Sequence, residues 1–155
     1  LKNKVVIVPS VYEDVLELKD NLRAEDINEC QACGHTPQEA LEIGFKQSGR
    51  CYSAKINGHI AAMFGVSTLS NQPTIGVIWY LGSDVTMKHP ITMVKGGLKY
   101  TNQWFEKYNI LMNIVDARNI THIAWLKRIG FKFLEQPVMC GGYKFYQFFK
   151  TKQDK

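Results

Sequence analysis

The stretch Met112–Phe133, MNIVDARNITHIAWLKRIGFKF, decides the fold, because it packs a strand, a capped helix and a second strand into very few residues. Ile114 alternates with Met112 and leads into Asp116, Arg118 and Asn119, so an apolar strand opens into a polar loop where a helix begins. The N–H groups of Ile120, Thr121 and His122 have no partner in an isolated helix, and Asn119 stands where a capping side chain or a ligand satisfies them. The helix runs to Ile129 and stops at the pair Gly130-Phe131. A strand end that faces a helix N-terminus is a place to bind something.

Upstream, Ile91, Val94, Leu98, Thr101, Trp104 and Phe105 recur at three- and four-residue steps and predict an amphipathic helix over Pro90 to Tyr108. Before it, Thr74 to Leu81 is a β-branched and aromatic run that ends at Gly82-Ser83-Asp84. Cys51 to Ile56 and His59 to Ser67 flank Asn57-Gly58, the strongest short hairpin signal, and with the next strand they form an antiparallel meander. At the start, Lys4 to Val8 reads as a strand, and Ser10 or Val11 opens a helix with Val15, Leu16, Leu18 and Leu22 as its buried stripe. Ala24 to Ala32 is a second helix, with acids near its start and Gly34 as its stop. Thr36-Pro37-Gln38-Glu39 supplies a cap, a proline at the first helical position and an acid three after the cap, and Ala40, Leu41, Ile43 and Phe45 form that helix's apolar side. Downstream, Phe131 to Pro137 and Tyr143 to Lys150 read as strands joined by Gly141-Gly142. The predicted order is β-α-α-α-β-β-β-α-β-α-β-β, an α/β fold with a single mixed, mostly antiparallel sheet flanked by helices.

The 155 residues, 45% of them hydrophobic, match one domain spanning 1–155 with a continuous core. The formal charge of +5 is spread over scattered lysines and arginines, which do not make a nucleic-acid stripe, although a pI near 9.0 favours phosphate-bearing ligands. The longest apolar runs, Ile60 to Val66 and Ile75 to Leu81, are far shorter than the roughly 20 residues of a membrane span. The apolar run after Lys4 stops at Pro9 and is too short for a secretory signal core. Cys30, Cys33, Cys51 and Cys140 form no dense disulfide framework, which points to a reducing compartment. Cys30-x-x-Cys33-Gly34-His35 has the spacing of half a zinc site but lacks the second half, so it reads as ordinary helical cysteines, with no metal.

This order, with Asn119 followed eleven residues later by Gly130-Phe131, resembles the GNAT superfamily of acyl-CoA-dependent N-acyltransferases over nearly the whole chain. The resemblance implies that a bulge splays the strand at Thr74 to Leu81 away from the one at Ile110 to Val115. It also implies that the pantetheine arm of acetyl-CoA pairs with the exposed edge, where unpaired N–H and C=O groups suit an extended amide-bearing ligand. The string Asn119-Ile120-Thr121-His122-Ile123-Ala124-Trp125-Leu126-Lys127-Arg128-Ile129-Gly130, and Ile78 to Asp84 directly before the long helix, are similar to the GNAT-like internal virion protein A family of T7-like podophages. That likeness implies other virion proteins as partners, and a soluble protein of an infected bacterium's cytoplasm or of the virion.

Carried onto this sequence, the resemblance implies that Asn119 and the strand end Leu81, Gly82 and Ser83 position the cofactor. Lys88, His89 and the N–H groups beyond Pro90 would hold its phosphates. The family's glycine-rich loop is absent: Val85-Thr86-Met87-Lys88-His89-Pro90-Ile91-Thr92 contains no glycine. The family's tyrosine seven residues after the asparagine is here Leu126, which leaves Tyr80, Tyr143, Tyr146 or water to protonate the departing thiolate. A base is wanted near the end of the Thr74 to Leu81 strand to receive the amine's proton. Asp84 and His89 are the nearest candidates, imidazole being the side chain that titrates near neutrality, while Asp116 and His122 flank the same crevice. The expected activity is acyl transfer from a CoA thioester to an amine. The competing reading is a non-catalytic phage structural protein that retains the fold, and a third is a module that binds a ligand or nucleic acid through its basic surface.

Overall fold

The computed structural model describes residues 4–155. Eight strands form one sheet in the order β1-β2-β3-β4-β5-β8-β6, with β7 also paired to β8. They are β1 Val5–Pro9, β2 Arg50–Ile56, β3 His59–Leu69, β4 Gln72–Gly82, β5 Ile110–Asp116, β6 Lys132–Phe133, β7 Val138–Cys140 and β8 Tyr143–Thr151. All these pairings are antiparallel except β4 with β5, which run parallel. The helices are α1 Tyr12–Leu18, α2 Ala24–Ala32, α3 Pro37–Gln47, α4 Pro90–Trp104 and α5 Ile120–Ile129. Two buried clusters fill the two faces of the sheet: Val15, Leu18, Leu41, Met63 and Leu81 under α1 and α3, and Val94, Phe105, Leu111, Val115 and Leu126 under α4 and α5.

The turns expected from the sequence carry the register. Asn57 (φ 54°) and Gly58 (φ 81°) both lie in the left-handed region, as a two-residue hairpin of this hand requires, and they bring Ile56 opposite His59. Thr36 Oγ1 accepts the Glu39 N–H at 3.1 Å while Glu39 returns a carboxylate to the Thr36 N–H at 2.9 Å, so both halves of the capping box form. At the end of α5, Gly130 takes φ 104°, which lets its own N–H reach Lys127 O (3.1 Å) and the Phe131 N–H reach Leu126 O (3.0 Å). Phe131 is thereby turned into the core, and the Lys150 ammonium, itself buried, donates to Ile129 O at 2.9 Å.

Several expectations fail in instructive ways. Leu16 is exposed while Val15 and Leu18 are fully buried, because α1 is only two turns long and buries one narrow face. The long helix stops at Trp104 rather than Tyr108. Phe105 and Tyr108 remain in the core on the turns that follow, and Ile91 and Leu98 face solvent. The single strand expected over Phe131 to Pro137 is two short ones, β6 and β7, on either side of a bend at Glu135-Gln136-Pro137, since proline cannot donate to a ladder. The loop before α4 contains one 3-10 turn, Asp84–Lys88, locked by Thr86 Oγ1 donating to Ser83 O at 2.7 Å.

Candidate functional site

The parallel pairing of β4 with β5 covers only Ile75 to Val77 opposite Ile110 to Met112, after which the two strands diverge. A bulge is not what separates them. The β3–β4 register runs unbroken from Gly76 to Gly82, and β5 stays in register with β8 along its whole length. A side chain fills the fork instead. Asn113 Nδ2 donates to Ile78 O at 2.5 Å while Asn113 Oδ1 accepts the Ile114 N–H at 2.7 Å, so the amide occupies the place of the next ladder bond. Backbone groups alternate sides along a strand, so Ile78, Tyr80 and Gly82 all turn their N–H and C=O toward the gap. Asn113 takes the Ile78 carbonyl, and Gly82 is held from the other end. Tyr80, between them, presents its backbone to the opening.

The other end is held by α2, which lies across the mouth of the fork. Asp26 Oδ2 accepts the Gly82 N–H at 2.9 Å at the end of β4, and Glu29 Oε1 accepts the Asp116 N–H at 2.7 Å at the end of β5. Two acids one helical turn apart thus tie down two strands that do not pair there. Arg23, just before α2, secures the arrangement. Its N–H donates to Gly82 O at 2.9 Å, and its guanidinium Nη2 donates to Asp26 Oδ1 at 3.2 Å and to Asn119 Oδ1 at 2.7 Å. Asn119 Nδ2 returns a 3.0 Å bond to Asp26 Oδ1 and Asn119 Oδ1 caps the His122 N–H at 3.4 Å, so α5 is tied into the same buried network.

Below this network the gap opens into a cavity of about 350 Å³ that reaches both faces of the sheet. Glu29, Cys30 and Trp79 line it on the α2–α3 side; Tyr80, Met93, His122 and Trp125 line it on the α4–α5 side. One oxygen each of Asp26 and Glu29 and one ring nitrogen of His122 lie within 4.8 Å of one another. Asp26 is already committed to Arg23, Asn119 and Gly82, and the adjacent guanidinium opposes a cation, so the donor set suits proton handling better than metal binding. Loss of water, reinforced by the neighbouring Asp26 and Asp116 charges, pushes the Glu29 carboxyl up to about 8 despite its bond from the Asp116 N–H. Burial likewise pushes His122 down, which keeps the imidazole neutral, and its buried Nδ1 has no hydrogen-bond partner among the described residues. The Tyr80 phenol is pushed far up by burial and stays protonated; its Oη lies 3.5 Å from Met93 Sδ, and its ring packs against His122 with centroids 5.5 Å apart.

The residues singled out from the sequence fall in three places. Leu81, Gly82 and Ser83 are buried at the end of β4, with the Gly82 N–H spent on Asp26 and the Ser83 N–H on Ala61 O at 2.8 Å. Asn119 is fully buried, and its side chain faces Arg23 and Asp26. Asp84 and Lys88 are exposed on the 3-10 turn, and His89 is half-buried at the start of α4, where its N–H bonds Thr86 O at 3.0 Å. None of Asp84, Lys88 and His89 lines the cavity, whereas His122, which the sequence placed beside the crevice, does. Asp116 is pinned to Arg118, whose guanidinium lies 2.6 Å from Asp116 Oδ2 and 3.7 Å over the Tyr143 ring. The sequence reading missed Arg23, Asp26 and Glu29. The signal was their three-residue step, which lines charged groups along the face of α2 that also carries Cys30. The thiol of Cys30 is buried and pushed up to about 12.

The whole architecture has close counterparts among solved structures. A GNAT-family acetyltransferase from Bacillus anthracis superposes with a TM-score of 0.72 at 8% identity, covering 98% of both chains. AAC(6')-Ib in complex with paromomycin and acetyl-CoA matches with a TM-score of 0.71 at 14% identity over 97% of this chain and 94% of that one. The fold is that of the GNAT acetyltransferases. A GNAT-family acetyltransferase from Streptococcus pneumoniae, with a TM-score of 0.63 at 13% identity, covers 96% of this chain and 99% of its own. No family model matches the sequence, and no curated protein is significantly similar to it. The likeness is therefore carried by backbone geometry, and in this chain the fork is filled by Asn113 and barred by α2. Among the described residues, no helix is long and apolar enough to cross a membrane.

Proposed function

We propose that this chain transfers an acyl group from a CoA thioester to a primary amine. The observation that carries the reading is the fork in the sheet, where a carboxyl poised near neutrality, Glu29, and a neutral imidazole, His122, line one cavity. AAC(6')-Ib, which shares the fold, has been captured with acetyl-CoA.

The residues present fit such a cofactor. The open backbone of Tyr80 suits an extended chain of amides, Met93 and Trp125 wall the slot, and the orphaned His122 Nδ1 awaits a polar partner. The first-turn N–H groups of α4, at Ile91 and Thr92, would face the phosphates together with Lys88 and His89. Leu81, Gly82 and Ser83 would wall the arm, and Asn119 would act by holding Arg23 and α5 in place. When bound, the thioester supplies an activated carbonyl and a thiolate leaving group. Ionised Glu29 takes the proton from the attacking nitrogen, Tyr80 Oη gives its proton to the departing sulfur, and a proton returns from Glu29 to Tyr80 through His122 or solvent. This assigns to Glu29 and Tyr80 the roles that sequence reasoning gave to Asp84 or His89 and to an undecided tyrosine. The alternative of a non-catalytic virion protein rests on the α5 string, the Ile78 to Asp84 strand end, the loop without glycine and Leu126; Ile78, Trp125, Leu126 and Ile129 are core residues.

Isothermal calorimetry with acetyl-CoA tests the reading. Saturable heat is expected, and Lys88→Glu should weaken binding about 5-fold (~1 kcal/mol) by reversing a charge beside the α4 N-terminus. The same change should leave a short acyl-pantetheine thioester unaffected. No heat and no thermal shift at millimolar acetyl-CoA would overturn the proposal.

A further inference from the structure

We infer that the acceptor is a monoamine with a flat apolar body, an arylalkylamine in chemical class, seated against Trp79 with its nitrogen at Glu29; this rests on the acyl-transfer reading above. The cavity has two arms joined through the fork. The arm toward α4 is lined by Thr92 and Met93 near that long helix's N-terminus, which Lys88 and His89 precede in the chain outside the cavity, and this end suits the phosphate-bearing ligand. The amine must then enter from the α2–α3 arm, on which Glu29 lies.

That arm is a slot for one charge and one ring. Among the described residues lining the cavity, Glu29 is the sole acid, and none is lysine or arginine. A polycation needs several fixed carboxylates to replace the water it gives up, and here it would meet one carboxyl, on a chain of net charge +5. The cysteines on this wall add no charge, since burial pushes the Cys30 thiol up to about 12 and raises Cys33 as well. The floor is aromatic and held in place. Trp79 Nε1 donates to Ser48 Oγ at 2.7 Å, and the indole lies so close to α3 that a Cβ at Gly44 would fall 2.5 Å from Trp79 Cζ2. Glycine at 44 is what lets the ring approach the helix this closely. Ile43, 37% exposed, lines the same arm at its rim, so an apolar body passes a greasy lip before reaching the carboxyl. The reaction keeps its balance: the nitrogen loses one proton to Glu29, the C–S bond breaks as the C–N bond forms, and the sulfur leaves as a thiol.

Thiol release from acetyl-CoA, with 2-phenylethylamine and spermidine as probes, reads the preference directly. The aryl amine should be used with kcat/KM about 10-fold or more above spermidine, the scale on which an apolar pocket discriminates. Trp79→Ala should raise KM for 2-phenylethylamine about 10-fold while leaving KM for acetyl-CoA unchanged. Ile43→Asp, a change on the exposed rim that does not threaten folding, should move the preference toward spermidine by a similar factor, about 10-fold. Spermidine used as well as or better than 2-phenylethylamine would overturn the acceptor class and leave acyl transfer standing. Acetyl-CoA that fails to bind would overturn both.

Discussion

Glu29→Gln is expected to slow acyl transfer by about 10²- to 10⁴-fold, the usual worth of a positioned general base. The substitution is nearly isosteric, and the glutamine carbonyl can still accept the Asp116 N–H, so the mouth of the fork stays tied and the loss falls on proton transfer. The pH profile separates this from a structural effect. With the carboxyl pushed up to about 8, wild-type activity should climb with pH through that region as Glu29 ionises, and the variant should lack that limb. Stability should change in the opposite sense. Between the ordinary carboxyl value of 4.5 and about 8, the folded protein keeps a proton that the unfolded chain has released, so wild-type stability falls as pH rises. Glu29→Gln removes that slope. Urea melts at pH 5 and pH 8 should therefore show the variant gaining on wild type at the higher pH, and equal slopes would count against a buried proton on Glu29.

Asp26→Ala is expected to be the most damaging single change to the fold. It removes the partner of Arg23, which is 2% exposed, and frees the Gly82 N–H and Asn119 Nδ2 in the same stroke. Stranding a buried guanidinium costs about 3–5 kcal/mol, which for a chain of this size lowers Tm by roughly 10 °C. Thermal melts followed by circular dichroism check it. The double change Arg23→Leu, Asp26→Leu should recover part of the loss, because the charge and its countercharge leave together. A double variant no more stable than Asp26→Ala would mean that the bonds to Gly82 and Asn119, not the ion pair, hold the region.

The contrast between these two residues and the ones chosen from the sequence follows from what local patterns encode. Asn57-Gly58, Thr36-Pro37-Gln38-Glu39 and Gly130-Phe131 act through neighbours a few residues away, so their turns, caps and stops were legible and most of the succession of elements along the chain followed from them. Asn119 was legible as a cap for the same reason. Its second task, bonding Arg23 from the far end of the chain, was not, since no local spacing announces a partner that distant. Asp26 looked like the acids that favour any helix start and Glu29 like an ordinary acid further along the helix, and only the tertiary fold reveals that this helix crosses a gap between strands. Leu16, Ile91 and Leu98 fit an apolar period but lie beyond the reach of the core, a distinction that periodicity does not draw.

The bar that α2 lays across the fork also links two amides whose strands do not pair at that point. The Gly82 and Asp116 N–H groups each bond to a carboxylate of the same short helix. Neither can meet solvent until that helix lifts, so one opening event should release both. Native-state hydrogen exchange should then give the two amides a common opening free energy and a common response to denaturant, distinct from the Met63 and Val115 amides inside the ladders. A helix that moves as one latch would make access to the cavity a two-position affair, and its occupancy a measurable fraction of time.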